Sequence, residues 1–343
     1  MKLTDEQLIS AIRGASYFTV EEGAIFPHRF TKAEEDYYEE INESFFRKAL
    51  SGAGMRIAFR TNATELSLKA RVEQGSSRSY YSFDVTVNSE RVASFDNFEG
   101  RSLCGNYVGT SLPLRGVDGR ADLGLGEKLV EIILPWSVRV GIEELCLNGG
   151  DSFSPVKREK LLLAYGDSIT QGYDALRPSN CYATGIASDI GADLINKAIG
   201  GEIFVPKLAN LADKSLNPDY VTVAYGVNDW GKCASPEIFY SNAKGFYTAI
   251  SKTYPNSKIF AVTPIWYAAI GEVRGVGKFE DLSRIINEAV NDLANVTPIE
   301  GFGFVPPEPK YFGDLRLHPN DEGFAYYRRG LSEKIKSIIG AKK

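Results

Sequence analysis

The sequence predicts an α/β protein in two parts: an N-terminal β-sandwich, then a parallel sheet covered by helices on both faces. Three observations carry that prediction. At about 150 residues per domain, a chain of 343 residues holds two domains and can bury a core in each. From about residue 55 to 147 the chain is a series of short segments of period two, among them MRIAFRT, TELSLKARV, YSFDVTVN, EKLVEIILP and RVGIEELCL, broken by turns such as Gly75-Ser76-Ser77. Beyond a polar stretch at 148–160 (NGGDSFSPVKREK) the pattern becomes apolar strand and helix in alternation. The sandwich, with leading short helices, is therefore expected over 1–152 and the α/β domain over 153–343.

Thr4-x-x-Gln7 and Thr31-x-x-Glu34 have the form of capping boxes and predict the two leading helices. In the second part LLLAYG (161–166), DLINKAI (193–199), YVTVAYG (220–226) and KIFAVTPI (258–265) read as strands buried on both faces. Helices are expected near 180–191, 204–213, 236–253, 279–294 and 321–339. No internal repeat or low-complexity segment interrupts the series.

Composition excludes several classes. With 43% hydrophobic and 24% charged residues the chain is neither disordered nor low-complexity. A net charge of -5 with scattered Lys and Arg, Arg328-Arg329 being the one tight pair, offers no basic surface for nucleic acid. There is no run of 18 apolar residues for a membrane span, and MKLTDEQLISAIRG does not read as a secretory leader, so a cytoplasmic location is expected. Cys104, Cys146, Cys181 and Cys233 stand far apart and the only histidines are His28 and His318, a poor set for tetrahedral zinc. Free thiols and no metal or other cofactor are expected. His28 reads as a packing or surface residue.

In open α/β sheets ligands sit beyond the carboxyl ends of the strands. The first strand ends in Gly166-Asp167-Ser168-Ile169-Thr170-Gln171-Gly172, where a tight strand-to-helix turn would hold the Ser168 hydroxyl out of the sheet as a nucleophile; alone, the serine reads equally well as a helix cap. The second ends in Gly200-Gly201-Glu202, either a plain turn or a close-approach site with a free N–H. The third ends in Gly226-Val227-Asn228-Asp229-Trp230, whose Asn amide would be a third donor to an oxyanion or would close an Asx-turn. Asp229 is expected to brace its loop. Asp314-Leu315-Arg316-Leu317-His318-Pro319, just before the last helix, supplies the one candidate general base of this half.

In that order these four blocks resemble the SGNH, or GDSL, hydrolase family over about residues 160–340. The resemblance implies a flavodoxin-like three-layer sheet and metal-free ester hydrolysis through an acyl-serine. By the same resemblance Ser168 is the nucleophile and His318 the base, and the Ser168 N–H, Gly201 and Asn228 form the oxyanion hole, with Gly200 an alternative to Gly201. The family places its acid three residues before the histidine; that position is Leu315 here. Asp314 stands one residue further away, so either a bulge brings it to His318 or the enzyme works as a Ser-His dyad.

A sandwich ahead of such a domain further resembles two-domain carbohydrate acetyl esterases with a jelly-roll-like first domain. This implies removal of O-acetyl groups from xylan-type oligosaccharides or another small acyl ester, with Tyr173, Trp230 and Trp266 as candidate aromatic platforms for a sugar. A short-chain carboxylesterase, lysophospholipase or thioesterase is the alternative within the fold; a carbohydrate-binding protein with an inactive hydrolase domain is the alternative outside it. No membrane partner is expected, and the oligomeric state is left open.

Overall fold

The computed structural model describes residues 1–98, 103, 107 and 109–340. Cys104 lies outside the described residues. Eight principal strands among the described residues frame the first part: β1 (Ala24–His28), β2 (Arg56–Thr61), β3 (Glu65–Gln74), β4 (Ser82–Val87), β5 (Glu90–Asp96), β6 (Val117–Asp122), β7 (Lys128–Ile133) and β8 (Val138–Asn148). They form two antiparallel sheets, ordered β1-β8-β3-β6 and β2-β7-β4-β5. That strand order is a jelly roll.

Alternation places one set of side chains inside. Ile57 and Phe59 of β2, Phe83 and Val85 of β4, and Val130 and Ile132 of β7 meet Leu66, Leu68 and Ala70 of β3 and Val138, Val140 and Ile142 of β8 in one core. Strand Tyr17–Glu21 extends the sheet beside β1, and Ile12–Arg13 and Ser154–Pro155 both pair with β2. The sequence pattern missed the strands at 17–28, where only helices were expected. The short strand Ser154–Pro155 on this sheet lies just beyond residue 152.

In the second part β9 (Lys160–Gly166), β10 (Ala192–Asn196), β11 (Tyr220–Ala224), β12 (Lys258–Val262) and β13 (Val296–Ile299) run parallel in the order β10-β9-β11-β12-β13. β13 is an addition, because a four-residue VTPI segment carries too little periodicity to read alone. The helices of the chain are α1 (Asp5–Ala11), α2 (Lys32–Ile41), α3 (Glu43–Ala49), α4 (Ser168–Gln171), α5 (Tyr182–Asp189), α6 (Pro206–Asn210), α7 (Val227–Lys232), α8 (Pro236–Thr253), α9 (Phe279–Val290) and α10 (Asp321–Gly340). Leu162 and Ala164 face α5 and α10, while Leu163 and Tyr165 face α8 and α9. The sheet is thus the middle of three layers. Both expected capping boxes form, Thr4 with Gln7 and Thr31 with Glu34.

Helices α2 and α3 pack on the α/β part as well as on the jelly roll: Phe30, Tyr38 and Ala49 share a small core with Ile199 and Leu208, while Glu35 of α2 bonds His28 of β1. Polar ties accompany that contact. Arg29, fully buried, donates through Nη1 to the carbonyls of Asn196 (2.6 Å) and Ala198 (2.8 Å) and through Nη2 to that of Lys48 (2.7 Å). Lys197 and Glu34, each 1% exposed, form an ion pair at 2.6 Å, and the same carboxylate oxygen caps α2 through the Thr31 N–H.

A buried ion pair resists loss of one partner far more than loss of both, because the survivor is an uncompensated buried charge. Glu34→Gln is therefore expected to lower the unfolding free energy by about 3–5 kcal/mol, and Glu34→Met combined with Lys197→Met to recover most of that, as measured by urea titration.

Candidate functional site

The site gathers at the carboxyl edge of the parallel sheet, where β10 and β11 diverge on either side of β9. Asp167 is extended and caps α4 by accepting the Ile169 N–H at 3.0 Å. Ser168 is thereby the first residue of a four-residue helix, 7% exposed, and its N–H has no protein acceptor among the described residues. Gly172 ends the turn in the left-handed region and sends the chain back towards Tyr173 and Asp174.

The histidine arrives from the loop before α10. Ser168 Oγ lies 2.8 Å from His318 Nε2, and His318 Nδ1 lies 2.7 Å from Asp314 Oδ2. The extra residue between acid and base is absorbed at Leu315, whose φ of 59° is left-handed. That kink turns Asp314 back over the loop, where Oδ1 accepts the N–H groups of Arg316 (2.9 Å), Leu317 (2.7 Å) and His318 (3.1 Å). Burial pushes the Asp314 carboxyl up, but the bond and charge of His318 and these N–H donors outweigh it and hold the group well below the usual carboxylate range.

The loop after β10 supplies the third component. The Gly200 N–H is taken by Gln171 Oε1 at 2.7 Å, whereas the Gly201 N–H has no protein acceptor among the described residues. Of the two glycines the sequence offered, Gly201 is the one with a donor free. Its φ of 90° is also the conformation glycine adopts without strain. The Asn228 amide donates to the Glu202 carbonyl at 3.0 Å, which sets it beside the Gly201–Glu202 peptide with its second N–H unspent. Asp229 is fully buried and braces the loop as expected, accepting the Phe204 N–H at 3.0 Å.

The aromatic expectations change. Trp230 is fully buried, donates through Nε1 to the Gly277 carbonyl at 2.8 Å and packs edge-on against Phe279, so its faces are closed to a ligand. Trp266, 9% exposed, leans on Phe312 in the core. Tyr173 does reach the site, but as a wall: it is buried between Trp136, at 4.8 Å, and the His318 ring, at 5.6 Å. None of the three is an open platform.

Sequence reasoning missed three further polar residues at the site, one distant in the chain and two just beyond the motifs. Lys48 of α3 and Lys232 of α7 donate to the carbonyls of Gly200 (2.7 Å) and Gly201 (2.5 Å), both near the half-buried ring of Phe45. Asp174 lies within 3.6 Å of His318 Nδ1. His28, by contrast, is buried against Glu35 at 3.0 Å in the jelly-roll part, away from this edge.

Residues 164–326 match the GDSL-like lipase/acylhydrolase family. That match spans just under half of the chain, from the strand before Ser168 into the last helix. The protein is an enzyme of the acylhydrolase kind, and the likeness of fold extends over both parts of the chain. A salicylyl-acyltransferase from a tetracycline biosynthetic pathway superposes with a TM-score of 0.78 at 19% identity, over 95% of this chain and 94% of that one. A family two carbohydrate esterase from Cellvibrio japonicus gives 0.65 at 15% over 99% and 97%. An acetyl xylan esterase from the rumen bacterium Butyrivibrio proteoclasticus gives 0.63 at 15% over 99% and 98%. No curated protein sequence matches the chain.

Beneath the acylhydrolase site, burial raises Asp167 to about 6 and Asp229 to about 7, the N–H bonds to Ile169 and Phe204 offsetting only part of that cost. An unfolded Asp ionises near pH 4, so between about pH 4 and pH 7 the unfolded state sheds a proton that folded Asp229 keeps, and stability falls as pH rises. Asp229→Asn keeps the Phe204 bond and removes the ionisation. Denaturant titrations at pH 5 and pH 8 should show the variant gaining on the order of 2 kcal/mol relative to wild type at the higher pH.

Proposed function

We propose that this acylhydrolase is a serine esterase that removes O-acetyl or similarly small acyl groups from carbohydrates. The observation that carries the reading is the unbroken hydrogen-bonded path from Ser168 through His318 to Asp314, set beside two unspent backbone donors and an Asn amide. His318 Nε2 takes the hydroxyl proton as Ser168 Oγ attacks the ester carbonyl, and the imidazolium then protonates the leaving alcohol. Asp314 holds Nδ1–H and the tautomer this requires. The N–H groups of Ser168 and Gly201 and the Asn228 amide meet the charge developing on the carbonyl oxygen. Water, activated by the same histidine, releases the acid.

A sugar ester is favoured by architecture. The carbohydrate esterase of Cellvibrio japonicus and the acetyl xylan esterase of Butyrivibrio proteoclasticus superpose over nearly all of this chain, jelly roll included. A second reading has its own support in the salicylyl-acyltransferase: the same acyl-serine handed to an alcohol other than water. Addition of a sugar alcohol to the assay separates the two, since a transferase makes the new ester while a hydrolase releases only acid. A cytoplasmic site of action is also proposed, on the free thiols of Cys146, Cys181 and Cys233; recovery of the active enzyme from the medium would overturn it.

Acetate release from 4-nitrophenyl acetate and from acetylated xylo-oligosaccharides tests the main reading. Ser168→Ala is expected to abolish both activities, and Asn228→Ala to lower kcat by about 100- to 1,000-fold. Persistence of turnover in folded Ser168→Ala would remove the serine mechanism. Retained rates on decanoate esters would remove the small-acyl assignment.

A further inference from the structure

A second carboxylate faces the imidazole of His318. Asp174 is fully buried and left-handed, with a φ of 70°, a region that Asp enters more readily than most non-glycine residues. Its Oδ2 lies 3.6 Å from His318 Nδ1, and a donor or acceptor atom from each of Asp174, Asp314 and His318 falls within 4.8 Å of the others. The jelly roll holds it there. Arg78, in the turn before β4, donates to Asp174 Oδ1 through Nε at 2.7 Å and to Oδ2 through Nη2 at 3.3 Å, and the Tyr80 hydroxyl donates to Oδ1 at 2.6 Å. The Tyr107 hydroxyl binds the Asp174 carbonyl. From the other side, Gly313 permits the close approach, since a Cβ there would meet the Asp174 Cβ at 2.7 Å.

Two carboxylates this close coexist only with compensation, and Arg78 supplies it. Asp314 has its Oδ1 committed to three backbone N–H groups and its Oδ2 to His318. On Asp174, among the described residues, Oδ1 takes two strong bonds and Oδ2 only the long one from Arg78, so Oδ2, 3.6 Å from His318 Nδ1, keeps lone-pair capacity. We propose that Asp174 is a positioning residue for His318: a reserve acceptor for Nδ1–H, presented by the jelly roll, that keeps the histidine in its working tautomer when the Asp314 bond is broken. This rests on the serine-esterase reading above for its kinetic consequence, but not for its geometry.

Where a triad has one acid, replacing it with the amide costs about 10,000-fold in kcat because the histidine takes the wrong tautomer. Here Asp314→Asn, which preserves the three N–H bonds at Oδ1, is expected to cost no more than about 100-fold. Asp174→Asn alone should cost under about tenfold, and on the Asp314→Asn background at least about a further 100-fold, a coupling that a merely structural role would not produce. Equal costs of Asp174→Asn in the two backgrounds would overturn the proposal.

One measurement needs neither turnover nor a change at 174. In Asp314→Asn the downfield proton signal of His318 Nδ1–H, assigned by its loss in His318→Ala because His28 also donates to a carboxylate, should persist. Its disappearance means that water, not Asp174, takes over, and the proposal fails whatever the enzyme's substrate. If Ser168→Ala stays active while the signal persists, the serine mechanism fails and the reserve acceptor stands.

Discussion

The site depends on how one backbone segment has its polar groups satisfied. The loop after β10, residues 196–202, leaves the Gly201 N–H without a protein acceptor among the described residues, while its carbonyls at 196 and 198 are buried and costly to leave without donors. Those donors come from elsewhere: Arg29 on the carbonyls of 196 and 198, Lys48 on 200, Lys232 on 201. Each is a cation, and a cation on a peptide carbonyl makes that peptide's N–H a better donor. The same bonds that hold the loop in shape therefore bias it towards negative charge. Asn196 closes the near end, its amide donating to the Thr170 carbonyl at 2.8 Å and so tying the loop to α4.

That arrangement makes the N-terminal segment part of the acylhydrolase rather than an appendage. Residues 29–51 contact the oxyanion loop, and Trp136, which donates to the Ala175 carbonyl at 2.8 Å, walls Tyr173 against His318. Arg56 of β2 meets Asp193 of β10 at 2.5 Å across the same junction. The first part thus touches all three components of the site: nucleophile turn, oxyanion loop and histidine loop. An acyl-transfer centre gains from such bracing, because donors aimed at a developing charge work only if they need not reorganise.

The four sequence blocks that meet at the sheet edge were legible because each is local. Ser168, Gly201, Asn228 and His318 sit at strand or loop ends that hydrophobic periodicity alone locates, and their order matches the parallel sheet. The Asp314 departure was legible as a departure, but its resolution was not: a left-handed Leu315 and three N–H groups converging on Asp314 Oδ1 go together, which spacing does not reveal. Trp230, Trp266 and Tyr173 misled for a related reason. An aromatic near a motif in sequence says nothing about which face of its loop is covered, and here hairpin 273–278, Phe312 and Trp136 cover them.

By itself the sequence determined the two-part architecture, the parallel sheet, the capping boxes and where along the sheet edge Ser168, Gly201, Asn228 and His318 fall, since period, caps and strand-end glycines are short-range properties of the chain. Tertiary structure alone decided which glycine keeps its N–H, how Asp314 reaches His318, and that Arg29, Lys48, Arg78 and Asp174 belong to the site. Those choices hang on contacts between residues up to 169 positions apart, as from Arg29 to Ala198. Burial of carbonyls and carboxylates makes such contacts obligatory, but only the folded chain determines which cation answers which oxygen.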